Sequence, residues 1–503
     1  MEKSKGKVVL FRPTPTPKLG YKGAPLHLLA IAAPLDKAGY EVKIVDATAD
    51  NNYKEKILQN IESSICLGIT AITGFSIEGG LEISKIVKER YPDIPIVWGG
   101  WHPSIFPEQT VENHFVDIVV RGQGELTFFD LVNHLRNNQS LDDVLGIAYK
   151  KNGKVVSNQD RPPEDINNFP PLAYHLLDIE KHLNEKFGSR TINYISSQGC
   201  PFRCSFCSEL MVNKRRWNGL KPKRVLDDLE RLAKEYNING VILNDSNFFV
   251  DKERVKDICE GILKRNLNIK WGDANGRTDQ LIRYEDELWG LMEKSGCQQI
   301  LIGAESGSPD VLNLIKKDTT VEQTVEFAKR CKRHNIKITY SFMLGFPKTD
   351  NFNQTIDEEF NQTLQLINKV QSISENHDIL WFIYTPYPGT PLYEESIKNG
   401  FKEPRSLEEW KKITLWDKTT PWVPDKYVRL IEVLNKFVLP CMSDSYKTID
   451  KITNKRYKLF SKVIRIMSSL FHYTASFRAK HKFFYFPIEY KMINFARDKK
   501  IIY

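Results

Sequence analysis

The residues best equipped for chemistry are three cysteines within eight positions, in the run Gln198-Gly199-Cys200-Pro201-Phe202-Arg203-Cys204-Ser205-Phe206-Cys207. Thiols spaced C-x3-C-x2-C can converge on one metal centre. A structural zinc site is tetrahedral and wants a fourth ligand close by, yet the next histidine along the chain is His334. Three thiolates alone suit a [4Fe-4S] cluster whose fourth iron stays open to an outside ligand. Spacing by itself gives a three-thiolate metal site, with zinc or a trio of structural thiols as the competing readings. Cys66, Cys259, Cys297, Cys331 and Cys441 are scattered singly and read as small buried apolar residues. Eight cysteines in 503 residues are too few for a disulfide framework, so a reducing, cytoplasmic compartment is expected.

The elements that must position this loop follow from hydrophobic periodicity. From residue 191, strand candidates recur at Ile192–Ser196, Val241–Leu243, Ile269–Trp271, Gln299–Ile302, Ile338–Phe342 and Ile379–Tyr384, with helical patterns such as Val225–Tyr236 and Val321–His334 between them. Six βα units predict a partial TIM-like barrel, whose chemistry sits just after its strands. The cysteines follow the first of those strands. Asn244-Asp245, Arg277, Glu305-Ser306-Gly307, Gly345-Phe346-Pro347 and Tyr387-Pro388-Gly389 follow the next five.

Residues 1–145 also alternate. Apolar runs at Val8–Phe11, Val42–Val45, Leu67–Thr70, Ile94–Val97 and Ile118–Val120 are separated by helical patterns, which predicts a doubly wound, flavodoxin-like α/β layer with a parallel sheet. Ligands of such sheets bind at the carboxyl ends of the strands. Those ends carry Pro13-Thr14-Pro15, Thr73-Gly74, Gly99-Gly100-Trp101-His102 and Gly122-Gln123-Gly124-Glu125, where glycine lets backbone approach a large ligand closely. Residues 146–157 read as a hairpin turning at Asn152-Gly153. The prolines at 162–163 and 170–171 mark a linker. Beyond residue 396 the pattern is helical, at Leu407–Trp416 and Tyr427–Val438.

The run Cys200-x3-Cys204-x-Phe206-Cys207, placed after a barrel's first strand, resembles the signature of the radical SAM superfamily. The leading domain resembles the cobalamin-binding domain of the branch that contains the anaerobic magnesium-protoporphyrin cyclase and the hopanoid methylases. The features that carry this are Leu19-Gly20, Pro25-Leu26-His27-Leu28-Leu29, Gly39-Tyr40-Glu41-Val42, Val97-Trp98-Gly99-Gly100-Trp101-His102 and Gly122-Gln123-Gly124-Glu125. The resemblance implies a cobalamin-binding domain over 1–145, a hairpin and linker over 146–185, a radical SAM core over 186–395 and a helical region over 396–503. It implies a [4Fe-4S] cluster on Cys200, Cys204 and Cys207. It implies S-adenosylmethionine held by Phe206, Asp245, Arg277, Glu305, Ser306 and Gly345, and cobalamin held by Thr14, Thr73, Gly99, Gly100, His102, Gly124 and Glu125. Two departures stand out. The usual Gly-Gly-Glu is absent near Asp245. The Asp-x-His-x-x-Gly loop that ligates cobalt in mutases is replaced by prolines, so cobalt would lack the usual lower His ligand, with His102 and His27 as the alternative replacements.

The function implied is reductive cleavage of S-adenosylmethionine to a 5′-deoxyadenosyl radical, with methylation of an unactivated carbon of a small or lipid-like substrate. Oxidative cyclisation or rearrangement with the same cofactors is the alternative, and a non-catalytic cobalamin or metal sensor a further one. A low-potential donor of ferredoxin or flavodoxin type would supply electrons.

Charge is unevenly spread. Residues 451–503 carry +11, and the remaining 450 carry −2. A nucleic-acid partner is therefore not expected, since the body is near neutral. In the tail, Tyr457, Leu459, Phe460, Val463, Ile464, Met467, Leu470 and Phe471 repeat at helical spacing, with Lys455, Lys458, Lys462 and Arg465 mostly on other faces. This is a basic amphipathic helix. It reads as a helix packed on the core, as peripheral contact with an anionic membrane or, with no recognised RNA module beside it, as an RNA contact.

Overall fold

The computed structural model describes residues 4–14, 23–414, 418–442, 461–484 and 487–498. Leu19, Gly20, Lys455, Tyr457, Lys458, Leu459 and Phe460 lie outside the described residues, as do the side chains of Lys462, Val463, Ile464, Arg465 and Met467.

The first sheet contains β1 (Lys7–Arg12), β2 (Glu41–Asp46), β3 (Ser64–Thr70), β4 (Ile96–Gly99), β5 (Ile118–Val120), β6 (Ile147–Lys151) and β7 (Lys154–Ser157). Their order is β2-β1-β3-β4-β5-β6-β7. The first five run parallel, in the doubly wound arrangement expected. Alternate residues feed opposite faces. Val9, Phe11, Leu67, Ile69 and Trp98 fill one core, while Val8, Leu10, Cys66, Val97 and Ile118 fill the other. Strands buried on both faces must read as near-continuous apolar runs, which is why they stood out in the sequence. β4 starts at Ile96 rather than Ile94, because Pro95 has no amide to donate to the ladder. The hairpin forms as expected, with Asn152 and Gly153 at φ +50° and +76°. It pairs antiparallel with β5 and so extends the first sheet.

The second unit contains β8 (Thr191–Tyr194), β9 (Ser197–Gly199), β10 (Trp217–Gly219), β11 (Gly240–Leu243), β12 (Lys270–Gly272), β13 (Ala274–Gly276), β14 (Gln299–Glu305), β15 (Lys337–Leu344) and β16 (His377–Ile383). β8, β11 and β12 are parallel neighbours, as are β13 to β16. The third barrel strand is broken at Asp273, φ +55°, and carries the wall from one sheet into the next. Ile192, Val241, Trp271, Ile300, Ile338 and Trp381 share one interior.

The two units are locked together. The Asn193 side chain accepts from the Ala24 amide at 2.6 Å and donates to the Ala24 carbonyl at 2.9 Å. Leu26 and Leu29 enter the barrel core. The region after the barrel divides its packing. Leu407, Trp410 and Ile413 complete the first domain's core, and Leu434, Phe437 and Met442 pack on the barrel. The helix expected over Leu407–Trp416 stops at Trp410, and the chain then passes across the first domain, with the Ile413 carbonyl against Gly74.

Of the basic tail, a helix spans Ser461–His481 and another Ile488–Asp498. Ala475 and Ala479 are fully buried in the barrel core, and Phe471, Phe484, Tyr490 and Ile493 pack against it. One face of this helical pair is thus a packing face.

Candidate active site

The cysteines occupy the loop of a small antiparallel ribbon. β9 and β10 close its base, with Trp217 opposite Gly199. Gly199 sits at φ +81°, and a Cβ there would lie 2.1 Å from the Arg216 carbonyl oxygen, so only glycine closes this loop. The loop is braced from the barrel. The Ser205 amide donates to the Ile315 carbonyl at 2.9 Å, and its own carbonyl accepts from the Leu392 amide at 3.1 Å. Arg203 pairs with Asp318 at 3.0 Å. The Phe206 ring packs 6.1 Å from Phe346, tying the loop to the Gly345-Phe346-Pro347 turn.

Each thiol has one hydrogen-bond donor. The Phe202 amide serves Cys200, the Glu209 amide serves Cys207, and Arg277 Nη1 serves Cys204 Sγ at 3.4 Å. Burial pushes the Cys200 thiol up, and it pushes the Cys207 thiol up to about 12. The Cys204 charge adds to both shifts, so the three groups are close neighbours. The raised Cys200 and Cys207 thiols keep their protons until a metal displaces them. Among the described residues no three His, Cys, Asp or Glu converge on a single-ion site. Three neighbouring thiols fit a [4Fe-4S] cluster, which takes one protein sulfur at each of three irons.

The other expected residues divide into those that face this loop and those held elsewhere. Arg277 is buried against it. Its ring-stacked guanidinium lies 3.9 Å from the Phe202 ring centroid, Nε donates to Asp279 at 2.9 Å, and Nη2 donates to the Lys317 carbonyl. Glu305 ends β14 at φ +63°, and its Oε1 accepts from the buried Lys317 at 2.8 Å. Desolvation works against the Lys317 ammonium, but Glu305 and the Cys204 charge outweigh it and raise its pKa. Asp245 is fully buried, and its carboxylate accepts from the Ser196 amide and hydroxyl and from the Ser197 hydroxyl. Burial raises its pKa. Its carboxylate thus fixes the chain just before the cysteines rather than facing open space. Ser306 is likewise turned inward, its hydroxyl 3.2 Å from that of Thr363. Gly345, at φ +87°, donates its amide to both oxygens of Glu359 at 3.2 Å, and its carbonyl accepts from Trp422 Nε1 at 3.0 Å.

On the first domain, the glycines and Thr73 line the carboxyl edge of the sheet. Gly100 has φ +99°, and a Cβ there would lie 2.8 Å from the Ala71 carbonyl oxygen. At Gly122 the corresponding space is open. Thr14 is half-buried past the end of β1, and Gly124 opens the helix Gly124–Arg136. His102 turns away from this edge. It is fully buried against Phe106 and Trp410, its Nδ1 is 3.0 Å from the Thr73 hydroxyl, and burial lowers its imidazole to about 3. His27 keeps exposed surface in the first turn of the helix Leu26–Lys37. Glu125 is buried at the contact between the units, where it accepts from Gln198 Nε2 at 3.0 Å.

The short helix Trp101–Ile105, beginning at the end of β4, packs beside the helix Glu209–Val212 that follows Cys207. Ile72 and Met211, one from each unit, leave large apolar surface uncovered near this contact. A glycine-lined strand edge with uncovered apolar surface, next to the thiol loop, fits a broad flat cofactor such as cobalamin.

Four contributors were not singled out in the sequence: Lys317, Phe202, Glu359 and Gln198. Lys317 stands in the Lys316-Lys317-Asp318 run, which looks like solvated charge until the fold buries its second lysine.

Two family models match the chain. The B12 binding domain covers residues 16–132 and the radical SAM superfamily covers residues 194–358. The chain is 33% identical over 405 residues to an uncharacterized methyltransferase of Pyrococcus horikoshii, covering 79% of this chain and 83% of that one. It is 30% identical over 380 residues to the anaerobic magnesium-protoporphyrin IX monomethyl ester cyclase of Rubrivivax gelatinosus, covering 74% of this chain and 66% of that one. The solved structure of the cobalamin-dependent S-adenosylmethionine radical enzyme OxsB, with aqua-cobalamin and S-adenosylmethionine bound, superposes with a TM-score of 0.72 at 20% identity, over 99% of this chain and 75% of that one. At that identity it shows the shared fold. The chain belongs to the cobalamin-dependent radical SAM methyltransferase family. The cofactors of that family are a [4Fe-4S] cluster, S-adenosylmethionine and cobalamin.

Proposed function

We propose that this enzyme methylates an unactivated carbon of a small or lipid-like substrate held between the thiol loop and the carboxyl edge of the first sheet. The observation that supports this reading is the contact of the helix following Cys207 with the helix that starts at Trp101, which brings the thiol loop beside the carboxyl edge of the first sheet. When bound, the cofactors supply the radical chemistry and the methyl group; the protein orients them and keeps water out.

The residues divide that work. Cys200, Cys204 and Cys207 hold the cluster. Phe206 and the Gly345 turn wall the adjoining S-adenosylmethionine site. The Glu305–Lys317 pair borders the same site, with Glu305 carrying the acceptor for ribose hydroxyls. Asp245 and Ser306 act one step back, by fixing the backbone of the strand ends. Thr14, Thr73, Gly99, Gly100 and Gly124 form the cobalamin shelf, with His102 supporting Thr73 from beneath and Glu125 anchoring the shelf to the barrel. The electrons come from a low-potential donor of ferredoxin or flavodoxin type.

Peripheral contact with an anionic membrane belongs to the same reading. No helix among the described residues is long and apolar enough to cross a membrane. The helical pair nonetheless turns Leu470, Tyr473 and Phe477 outward, at 58%, 73% and 57% exposure, along one stripe of the Ser461–His481 helix. Lys480, Lys482 and Lys491 of the same helical pair and its connection are exposed as well.

The deciding experiment is anaerobic reconstitution with iron, sulfide and cobalamin, followed by assay for 5′-deoxyadenosine and S-adenosylhomocysteine. Both should form. The formation of 5′-deoxyadenosine without S-adenosylhomocysteine, and a product lacking an added methyl group, would replace methylation by cyclisation or oxidation.

A further inference from the structure

The three site sulfurs are not served alike. Those of Cys200 and Cys207 accept backbone amides, from Phe202 and Glu209, which any sequence would supply. The sulfur of Cys204 accepts from a charged side chain, Arg277 Nη1, brought from 73 residues away. Arg277 is 4% exposed, and its guanidinium is held on three sides. Its Nε is fixed by Asp279 at 2.9 Å, its Nη2 by the Lys317 carbonyl, and its plane by the Phe202 ring at 3.9 Å. So much restraint on one side chain aims a single donor at a single sulfur.

We propose that Arg277 sets how readily the cluster accepts an electron, by donating a hydrogen bond to Cys204 Sγ. The proposal rests on Cys200, Cys204 and Cys207 being the cluster ligands.

Reduction adds one electron from the low-potential donor; no bond breaks, and the extra negative charge spreads over iron, sulfide and thiolate. A donor on a thiolate stabilises the more negative state more strongly, so it raises the reduction potential. A charged donor does so about twice as strongly as a neutral one. Asp279 balances the guanidinium in net charge, so the effect is local, through the N–H aimed at the sulfur. Three of the five guanidinium N–H groups are thus engaged by the protein, one of them by the Cys204 sulfur.

The test compares wild type, Arg277→Lys and Arg277→Gln, each reconstituted to equal iron and sulfide content, by redox titration followed with electron paramagnetic resonance. Lysine keeps the charge but loses the planar fork, and glutamine is too short to reach the sulfur. Both should titrate at lower potential, with the reduced-to-oxidised ratio at fixed potential falling about tenfold, which is about 59 mV for one electron. A wild-type midpoint in fully loaded Arg277→Gln overturns the proposal, and leaves Arg277 a structural partner of Asp279. If neither variant loads iron, Phe202→Leu decides, because it keeps Arg277 and all three thiols while removing the ring that fixes the plane of the guanidinium. A lowered midpoint there supports the proposal, and an unchanged one overturns it. The ligand assignment is read separately, from loss of iron in Cys204→Ala.

Discussion

Gln198 Nε2 donates to Glu125 Oε1 across 3.0 Å, so the residue two places before the first site cysteine is tied to the helix that begins at the end of β5. A further bond at 3.2 Å runs from Gln123 Nε2 to Gln198 Oε1, so the same amide is gripped from both ends. The thiol loop and the first domain's strand edge are therefore coupled through one side chain.

Gln198→Ala should expose that coupling. It leaves the Glu125 carboxylate buried without its side-chain donor, a loss of about 1–3 kcal/mol. Burial already raises the Glu125 pKa, so the penalty should be largest at high pH and fade where the carboxyl is protonated. Denaturant titration of wild type, Gln198→Ala, Glu125→Gln and the double variant gives the coupling energy. Additive effects of the two single changes, at all pH values, would count against it.

Changing Cys200, Cys204 or Cys207 to Ala should abolish the visible iron–sulfur absorption and all 5′-deoxyadenosine formation while the circular dichroism stays native. Cys66→Ala and Cys259→Ala remove buried thiols with no role in the loop, and should leave both signals in place. A single loop variant that cleaves S-adenosylmethionine at the wild-type rate is enough to refute the ligand set.

Glu359 gives the pH prediction. Burial pushes its carboxyl from 4.5 up to about 8, with only the Gly345 amide working the other way. The folded protein thus holds a proton that the unfolded chain releases. The sign follows from linkage: this group's contribution to stability is full below about pH 4.5 and is lost as pH rises to about 8. Glu359→Gln removes the titration, so its unfolding midpoint should fall less than that of wild type across this window. Parallel pH profiles for the two proteins would falsify the assignment.

How much of this was legible in the sequence depends on the range of the interaction. The thiol loop was readable because its three ligands are neighbours in the chain. The parallel strands of both units were readable because such strands are buried on both faces. The partners of the loop were not, since Arg277 reaches Cys204 and Lys317 reaches Glu305 only after the barrel closes. Asp245 shows the opposite case: its place at a strand end was correctly read, but its carboxylate is taken up by Ser196 and Ser197. His102 likewise stands at the expected strand end, and only its ring contacts show that it points into the core. In the tail, periodicity put Leu470 and Phe471 on one apolar stripe, yet the fold buries part of Phe471 and exposes Leu470.

That split in the tail shapes the membrane prediction. Deleting the tail would strip Ala475, Ala479, Tyr490 and Ile493 from the barrel core, so aggregation of a truncated chain would say nothing about lipid. Surface substitutions separate the two roles. Leu470, Tyr473 and Phe477 share the outward stripe, whereas the packing face of the same helix includes Ala475 and Ala479. A basic segment gains about 1 kcal/mol per Lys or Arg near an anionic surface, provided its apolar face can enter the interface. The full-length protein should therefore bind phosphatidylserine vesicles and not phosphatidylcholine vesicles, and salt should weaken the binding by screening. Replacing Leu470, Tyr473 and Phe477 together with Glu should abolish sedimentation with the vesicles while leaving the cluster absorption and thermal midpoint intact. If the triple variant still sediments at low salt, the outward stripe is not the contact. If the unaltered protein ignores anionic vesicles at low salt, the segment 451–503 owes its charge to something other than lipid, and a membrane-borne substrate loses its main support.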